Sequence, residues 1–160
     1  MAFRPKILAL ANKITLEART GIPNVPGDPE YRILAEVVTD EQADVALACK
    51  VRHSLTLDEI AKRCGKPPEV TKKLLWELAN EGVVVTYTSP DDGRDYYTLP
   101  CWVPGIMEMM VGNKEQVEAH PEIARCFDEY TLKNMKLMTP NLPRGMGAVS
   151  YTHLRAHETT

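Results

Sequence analysis

Between residues 39 and 99 the chain is punctuated so densely that few folds remain open to it. Thr39-Asp-Glu-Gln42 sets an N-cap hydroxyl three residues ahead of a Gln, and Thr56-Leu-Asp-Glu59 repeats the device with a Glu. In such a box the hydroxyl and the N3 side chain each satisfy one orphan backbone N–H, so each marks a helix start. The first predicts a helix to about Arg52, with Ala43, Val45, Ala46, Ala48, Cys49 and Val51 apolar. The second predicts a short helix with Leu57, Ile60 and Ala61 inward, stopped by Gly65, because glycine tolerates the left-handed backbone of a helix end. Lys66-Pro-Pro-Glu69 opens a third, since proline fits the first helical turn. Val70, Leu74, Leu75 and Leu78 form its expected buried stripe, and Gly82 its end. Val83–Thr88 and Asp95–Leu99 are β-prone and flank a turn cluster, Ser89-Pro-Asp-Asp-Gly-Arg94.

Three helices followed by a hairpin spell a winged helix-turn-helix. Leu57-x-x-Ile60-Ala61-x-x-Cys64-Gly65 and Leu75-x-x-Leu78-x-x-x-Gly82-Val83-Val84 resemble the matching phrases of bacterial winged-helix domains. The expected fold class is mainly α (α+β): a winged helix-turn-helix with a two-stranded wing, an N-terminal helical arm and C-terminal helices. Residues 1–38 read as the arm, where Ile7, Leu8, Leu10, Ala11, Ile14 and Leu16 have helical spacing. Three prolines and two glycines between Gly21 and Pro29 then exclude regular structure, ahead of a short helix over Glu30–Val38. The winged helix occupies 39–100. Residues 101–147 hold further helices over Ile106–Val111, Lys114–His120 and Pro121–Met138, then a breaker-rich exit linker. Val117, Ile123, Cys126, Phe127, Tyr130 and Leu132 are its candidate apolar contacts.

Composition narrows the class. With 160 residues, 44% hydrophobic, the chain can bury a core. No stretch approaches the ~20 apolar residues of a membrane span, and the apolar run Ile7–Ala11 is too short for a signal core. The expected location is cytoplasmic, with reduced thiols. Cys49, Cys64, Cys101 and Cys126 lie 15, 37 and 25 positions apart, and none belongs to the C-x-x-C pair of zinc ribbons or clustered iron–sulfur ligation. The string Val149–Thr159 resembles a translated sequencing adapter, so residues 148–160 are read as an artefactual tail, with the natural protein continuing past residue 148. His153 and His157, spaced like zinc ligands on a helix, are assigned to that tail and not to a metal site.

The obvious use of a winged helix is DNA binding, with the third helix in the major groove and the wing on phosphate. Lys66, Thr71, Lys72 and Lys73 would read the groove, and Arg94 would stand at the wing tip. The charge balance weighs against this. Between Asp40 and Leu99 there are 8 Lys and Arg against 11 Asp and Glu, a net of −3, whereas counterion release needs uncompensated cations. Lys72, Lys73 and Arg94 remain the DNA-binding candidates of this alternative, a winged-helix transcriptional regulator.

Little speaks for catalysis. Cys49 and His53, four apart, would share a helix face as a nucleophile pair or half a metal site, or simply as a core thiol beside a helix-end histidine. His120 reads as a surface or capping group and Trp102 as a packing anchor. Met107, Met109, Met110, Met135 and Met138 could line an adaptable interface or fill core gaps. There is no phosphate loop, nucleophile elbow or paired-carboxylate motif. No catalytic, cofactor-binding or metal-binding residue is assigned.

The stretch Leu10-Ala-Asn-Lys-Ile-Thr-Leu-Glu-Ala-Arg-Thr-Gly-Ile-Pro-Asn-Val-Pro26 adds a different signal. Together with Ile60-Ala-Lys-Arg-Cys-Gly-Lys66, Leu99-Pro-x-x-Val-Pro-Gly105 and His120-Pro-Glu122, it resembles the leading region of bacterial 4Fe-4S ferredoxin-type iron–sulfur oxidoreductases of anaerobes. In some members these are associated with a pyridine-nucleotide-disulfide oxidoreductase. The resemblance covers nearly residues 7–147. It implies an accessory, docking N-terminal domain of an electron-transfer protein. The 4Fe-4S clusters would lie in the missing downstream region, and the partner would be that cluster domain or an oxidoreductase subunit.

Overall fold

The computed structural model describes residues 2–138; the exit linker read over 139–147 and the tail with His153 and His157 lie outside the described residues. The chain divides into two compact units, Met1–Tyr130 and Thr131–Thr160. Among the described residues there are eight helices and one three-stranded antiparallel sheet, a mainly helical α+β fold. None of those helices is long and apolar enough to cross a membrane.

Helix α1 (Pro5–Glu17) opens on a proline and buries Ile7, Leu10, Ala11 and Ile14 completely. Leu16, off that face, is exposed. Helix α2 (Pro29–Val37) also starts on proline. Arg4 secures its far end: Nη1 donates to the Ala35 carbonyl at 3.1 Å and Nη2 to the Val38 carbonyl at 2.7 Å, while Nε reaches Asp40 at 3.0 Å. These are the orphan carbonyls that a helix end leaves over.

Helix α3 (Asp40–Ala48) begins in the expected capping box, with Gln42 N donating to Thr39 Oγ1 and Thr39 N to Gln42 Oε1. It stops four residues short of Arg52. Arg63 Nε takes the Ala48 carbonyl at 2.6 Å, and Lys50 and Arg52 exchange backbone hydrogen bonds with Leu99 instead of continuing the helix. That detour sets up a strand the sequence reading lacked, β1 (Leu55–Thr56). Its pairing partners lie some forty residues away, at Tyr97 and Tyr96.

Helix α4 (Leu57–Cys64) follows at once, with its own capping box on Thr56 and Glu59, and Gly65 closes it at φ +68°. Helix α5 (Pro68–Asn80) corrects one expectation: Val70 is exposed, and Thr71 takes its place in the buried stripe with Leu74, Leu75 and Leu78. A buried threonine is tolerated because its hydroxyl donates to the Pro67 carbonyl at 3.0 Å. Gly82 (φ +79°) turns the chain where an added Cβ would lie 3.1 Å from Met109 Cβ. Strands β2 (Val85–Thr88) and β3 (Asp95–Thr98) pair with Val85 opposite Thr98 and Thr88 opposite Asp95. The sheet order is β1-β3-β2, which leaves one edge of β2 unpaired. Val83 and Val84 are buried just before the strand.

Helices α6 (Ile106–Gly112), α7 (Lys114–Ala119) and α8 (Glu122–Met138) complete the described chain. Ile123, Cys126, Phe127 and Tyr130 are buried as expected, whereas Val117 is half-buried and Leu132 exposed. Three of the five interface-candidate methionines are spent on packing: Met110 is fully buried, Met107 packs on the core and Met109 covers Gly82.

One contiguous core runs from Ile7 to Tyr130. Its polar node is Thr15, whose Oγ1 accepts from Trp102 Nε1 and from Asn24 Nδ2, both at 2.9 Å. Trp102 is fully buried and tilts against Tyr130, with ring centroids 6.1 Å apart. The Pro-rich loop and the connector after β3 are thus tied to α1 through one hydroxyl.

Candidate functional site

The hairpin β2–β3 and helix α5 enclose an open groove of about 740 Å³. From α5 it is lined by Glu69, Lys72, Lys73 and Trp76, spaced so that they share one helix face. That face lies away from the buried Leu74, Leu75 and Leu78. Thr86, Tyr87, Thr88, Asp95 and Tyr97 line the opposite wall. Trp76 is 64% exposed and Tyr87 48% exposed. Strand alternation puts Thr86, Thr88, Asp95 and Tyr97 on the groove side of the sheet and the Tyr87 ring, stacked on Tyr96, on the other, so Tyr87 borders the groove only along the strand edge and Trp76 is the exposed aromatic within it.

A second hollow of about 330 Å³ adjoins it, lined by Thr56, Leu57, Asp58, Lys72, Arg94, Asp95 and Tyr97. Lys72 borders both spaces. The structure therefore brings the predicted pair Lys72 and Arg94 together, with Lys73 beside Lys72 in the groove. Asp58 and Asp95 stand in the same hollow, and Glu69 and Asp95 in the groove, so cations and carboxylates cancel in each. Lys73 lies 3.9 Å from Glu77, one turn on. Two other residues proposed for groove reading are occupied elsewhere: Thr71 is buried, and Lys66 pairs with Glu41 at 3.5 Å.

The hairpin tip is locked by its own side chains. Arg94 N and the Tyr96 hydroxyl donate to the Asp92 carboxylate at 3.0 and 2.8 Å. Those two bonds hold the Asp92 pKa below its ordinary value, and the same contact raises that of Tyr96. Thr88 Oγ1 donates to Asp95 at 2.7 Å, and Tyr87 stacks on Tyr96 with centroids 5.6 Å apart. The Asp92 and Asp95 carboxylates are thus engaged inside the hairpin, and the Arg94 backbone N–H is held by the first of them.

The cysteine–histidine pair fails as a reactive unit. Cys49 caps α3 and is fully buried, its thiol donating to the Val45 carbonyl, and burial pushes its pKa up to about 12. A thiol so placed supplies almost no thiolate at neutral pH. His53 lies beyond the helix end in a turn, its Nδ1 3.0 Å from the Val51 carbonyl. His120 pairs with Glu36 at 3.0 Å on the surface. Burial also raises the Cys126 pKa, and all four cysteines are free thiols. Among the described residues no three or more His, Cys, Asp or Glu converge as a metal-binding group. These thiols do not fit a 4Fe-4S cluster, which needs four converging thiolates.

Sequence reasoning missed Trp76 and Tyr87. The signal for Trp76 was present: it falls between Leu75 and Glu77, off the Leu74–Leu75–Leu78 stripe, so a helix through it must turn it outward. For Tyr87 the alternation of β2 gave no inner face to choose. The chain matches no family model, no curated protein and no solved structure.

Proposed function

We propose that residues 39–100 form a winged helix-turn-helix that serves as a protein-docking module, not as a DNA reader. The order α3, β1, α4, α5, β2, β3, with a left-handed glycine between α4 and α5, supports the fold reading. The observation that carries the function is the groove between α5 and the hairpin. Where a reading helix needs uncompensated cations, this one presents an exposed Trp among charges that cancel.

Joined to the family resemblance, the module is an accessory domain at the front of a 4Fe-4S electron-transfer oxidoreductase of the cytoplasm. The clusters belong to the downstream region, and the docking partner is that region or an oxidoreductase subunit. Recovery of the uninterrupted gene tests this. A continuation carrying clustered C-x-x-C motifs supports it, and one without them ends it.

The second reading is the DNA-binding regulator. Lys72 and Arg94 bordering one hollow favour it, as the two would meet successive phosphates. A mobility-shift titration at two salt concentrations separates the readings.

A further inference from the structure

We propose that the free edge of β2, beside the α5–hairpin groove, is covered by a second copy of this chain, joined by antiparallel pairing of β2 with its symmetry mate. This deepens the docking reading above and rests on it. Ser89 N donates to the Arg94 carbonyl at 2.9 Å, which fixes the phase of the ladder. Pairs alternate along an antiparallel hairpin, so Tyr87 with Tyr96 and Val85 with Thr98 are the hydrogen-bonded ones. Thr86 and Thr88 therefore turn their N–H and C=O groups outward, at the free edge. Both residues are exposed, and among the described residues neither N–H has a partner.

Edges of this kind are normally blunted by shortness, lysine, proline, a bulge or a covering element. Strand β2 is short, at four residues, but reads Val-Thr-Tyr-Thr and carries no lysine or proline. No charge interrupts the chain from Val83 to Pro90, so antiparallel self-pairing opposes no like charges. The outward groups are self-complementary about Tyr87. A twofold axis there sets Thr86 opposite Thr88 of the mate in two hydrogen-bonded pairs, four bonds in all. Tyr87 then meets its own copy at the close, non-hydrogen-bonded position, extending the Tyr87–Tyr96 stack into a row of four rings on the sheet face away from the groove.

Sedimentation equilibrium of the full chain, from micromolar to millimolar concentration, tests the proposal. The expected result is a monomer–dimer equilibrium. Thr86→Pro removes an outward N–H without touching the β2–β3 ladder and shifts the equilibrium to monomer, with circular dichroism unchanged. Tyr87→Lys, a variant that keeps the strand, sets two ammonium groups across the axis and has the same effect. Tyr87→Cys gives an interchain disulfide under mild oxidation that the wild type does not, because Cα atoms at such a pair lie within bonding reach. A wild type that stays monomeric across the range overturns the proposal. So does a dimer indifferent to Thr86→Pro and Tyr87→Lys. Either result leaves the docking reading standing, whereas a salt-dependent complex with duplex DNA would overturn that reading itself.

Discussion

The hydroxyl of Thr15 holds together three segments far apart in sequence, and Thr15→Val isolates what it contributes. Valine keeps the shape and removes the oxygen. Trp102 Nε1 and Asn24 Nδ2, both 2.9 Å from that oxygen, then lose their acceptor. Trp102, Asn24 and Thr15 are at most 4% exposed, so water does not readily replace it. A buried donor left unsatisfied costs about 1–3 kcal/mol. The orphaned Trp102 donor gives an expected loss of about 1–3 kcal/mol. For a domain of this size that is a fall in melting temperature of about 3–10 °C. Urea denaturation followed by circular dichroism measures it. The companion variant Trp102→Phe removes one donor together with its need, so Thr15→Val in that background loses less, by roughly 1–3 kcal/mol. A loss below about 0.5 kcal/mol, or effects additive within the usual ~0.5 kcal/mol, would refute the node.

Two further expectations concern backbone and charge. Gly65→Ala and Gly82→Ala both force alanine into the left-handed region, at a cost of about 1–2 kcal/mol. Gly65 has open space around it while Gly82 faces Met109 at 3.1 Å, so Gly82→Ala is the more damaging of the two by urea midpoint. Glu17 carries the pH dependence between α1 and the turn after α3. Burial works to raise its pKa, but the hydrogen bond from Lys13, at 2.6 Å, and the Val51 N–H outweigh that and lower it. A lowered carboxylate stabilises the fold above its unfolded pKa and loses that contribution as pH falls through the folded value. Glu17→Gln therefore costs something below about 1 kcal/mol near neutral pH, its side chain being half exposed. The difference vanishes in the acid range, as paired urea curves at about pH 7 and pH 3 would show.

Most of the middle of the chain was legible because its signals are local. Both capping boxes formed as read, and Gly65 and Gly82 stand where the helix ends require them. What stayed hidden was non-local. Strand β1 is two residues long, and only the return of Tyr96 and Tyr97 makes it a strand. The early end of α3 depends on Arg63 and Leu99, neither of which a periodicity window around Arg52 contains. The Val70–Thr71 exchange turned on a single hydroxyl finding a carbonyl one turn back. Lys72, Lys73 and Arg94, picked as phosphate-binding candidates, stand about the groove and the adjoining hollow, but the exposed Trp76 in the groove was not foreseen. Charge is counted easily from a sequence, whereas exposure of an aromatic depends on which side of its helix the core takes.

The central claim is that the α5–hairpin face docks protein and does not grip phosphate. A titration of the full chain with duplex DNA at low and at physiological salt tests it most directly. The quenching of exposed Trp76 and gel mobility would be read together. The account predicts no complex with salt-dependent affinity in the micromolar range, and no response to Lys72→Glu or Arg94→Glu. A complex that weakens steeply with salt and is lost in those variants would contradict it.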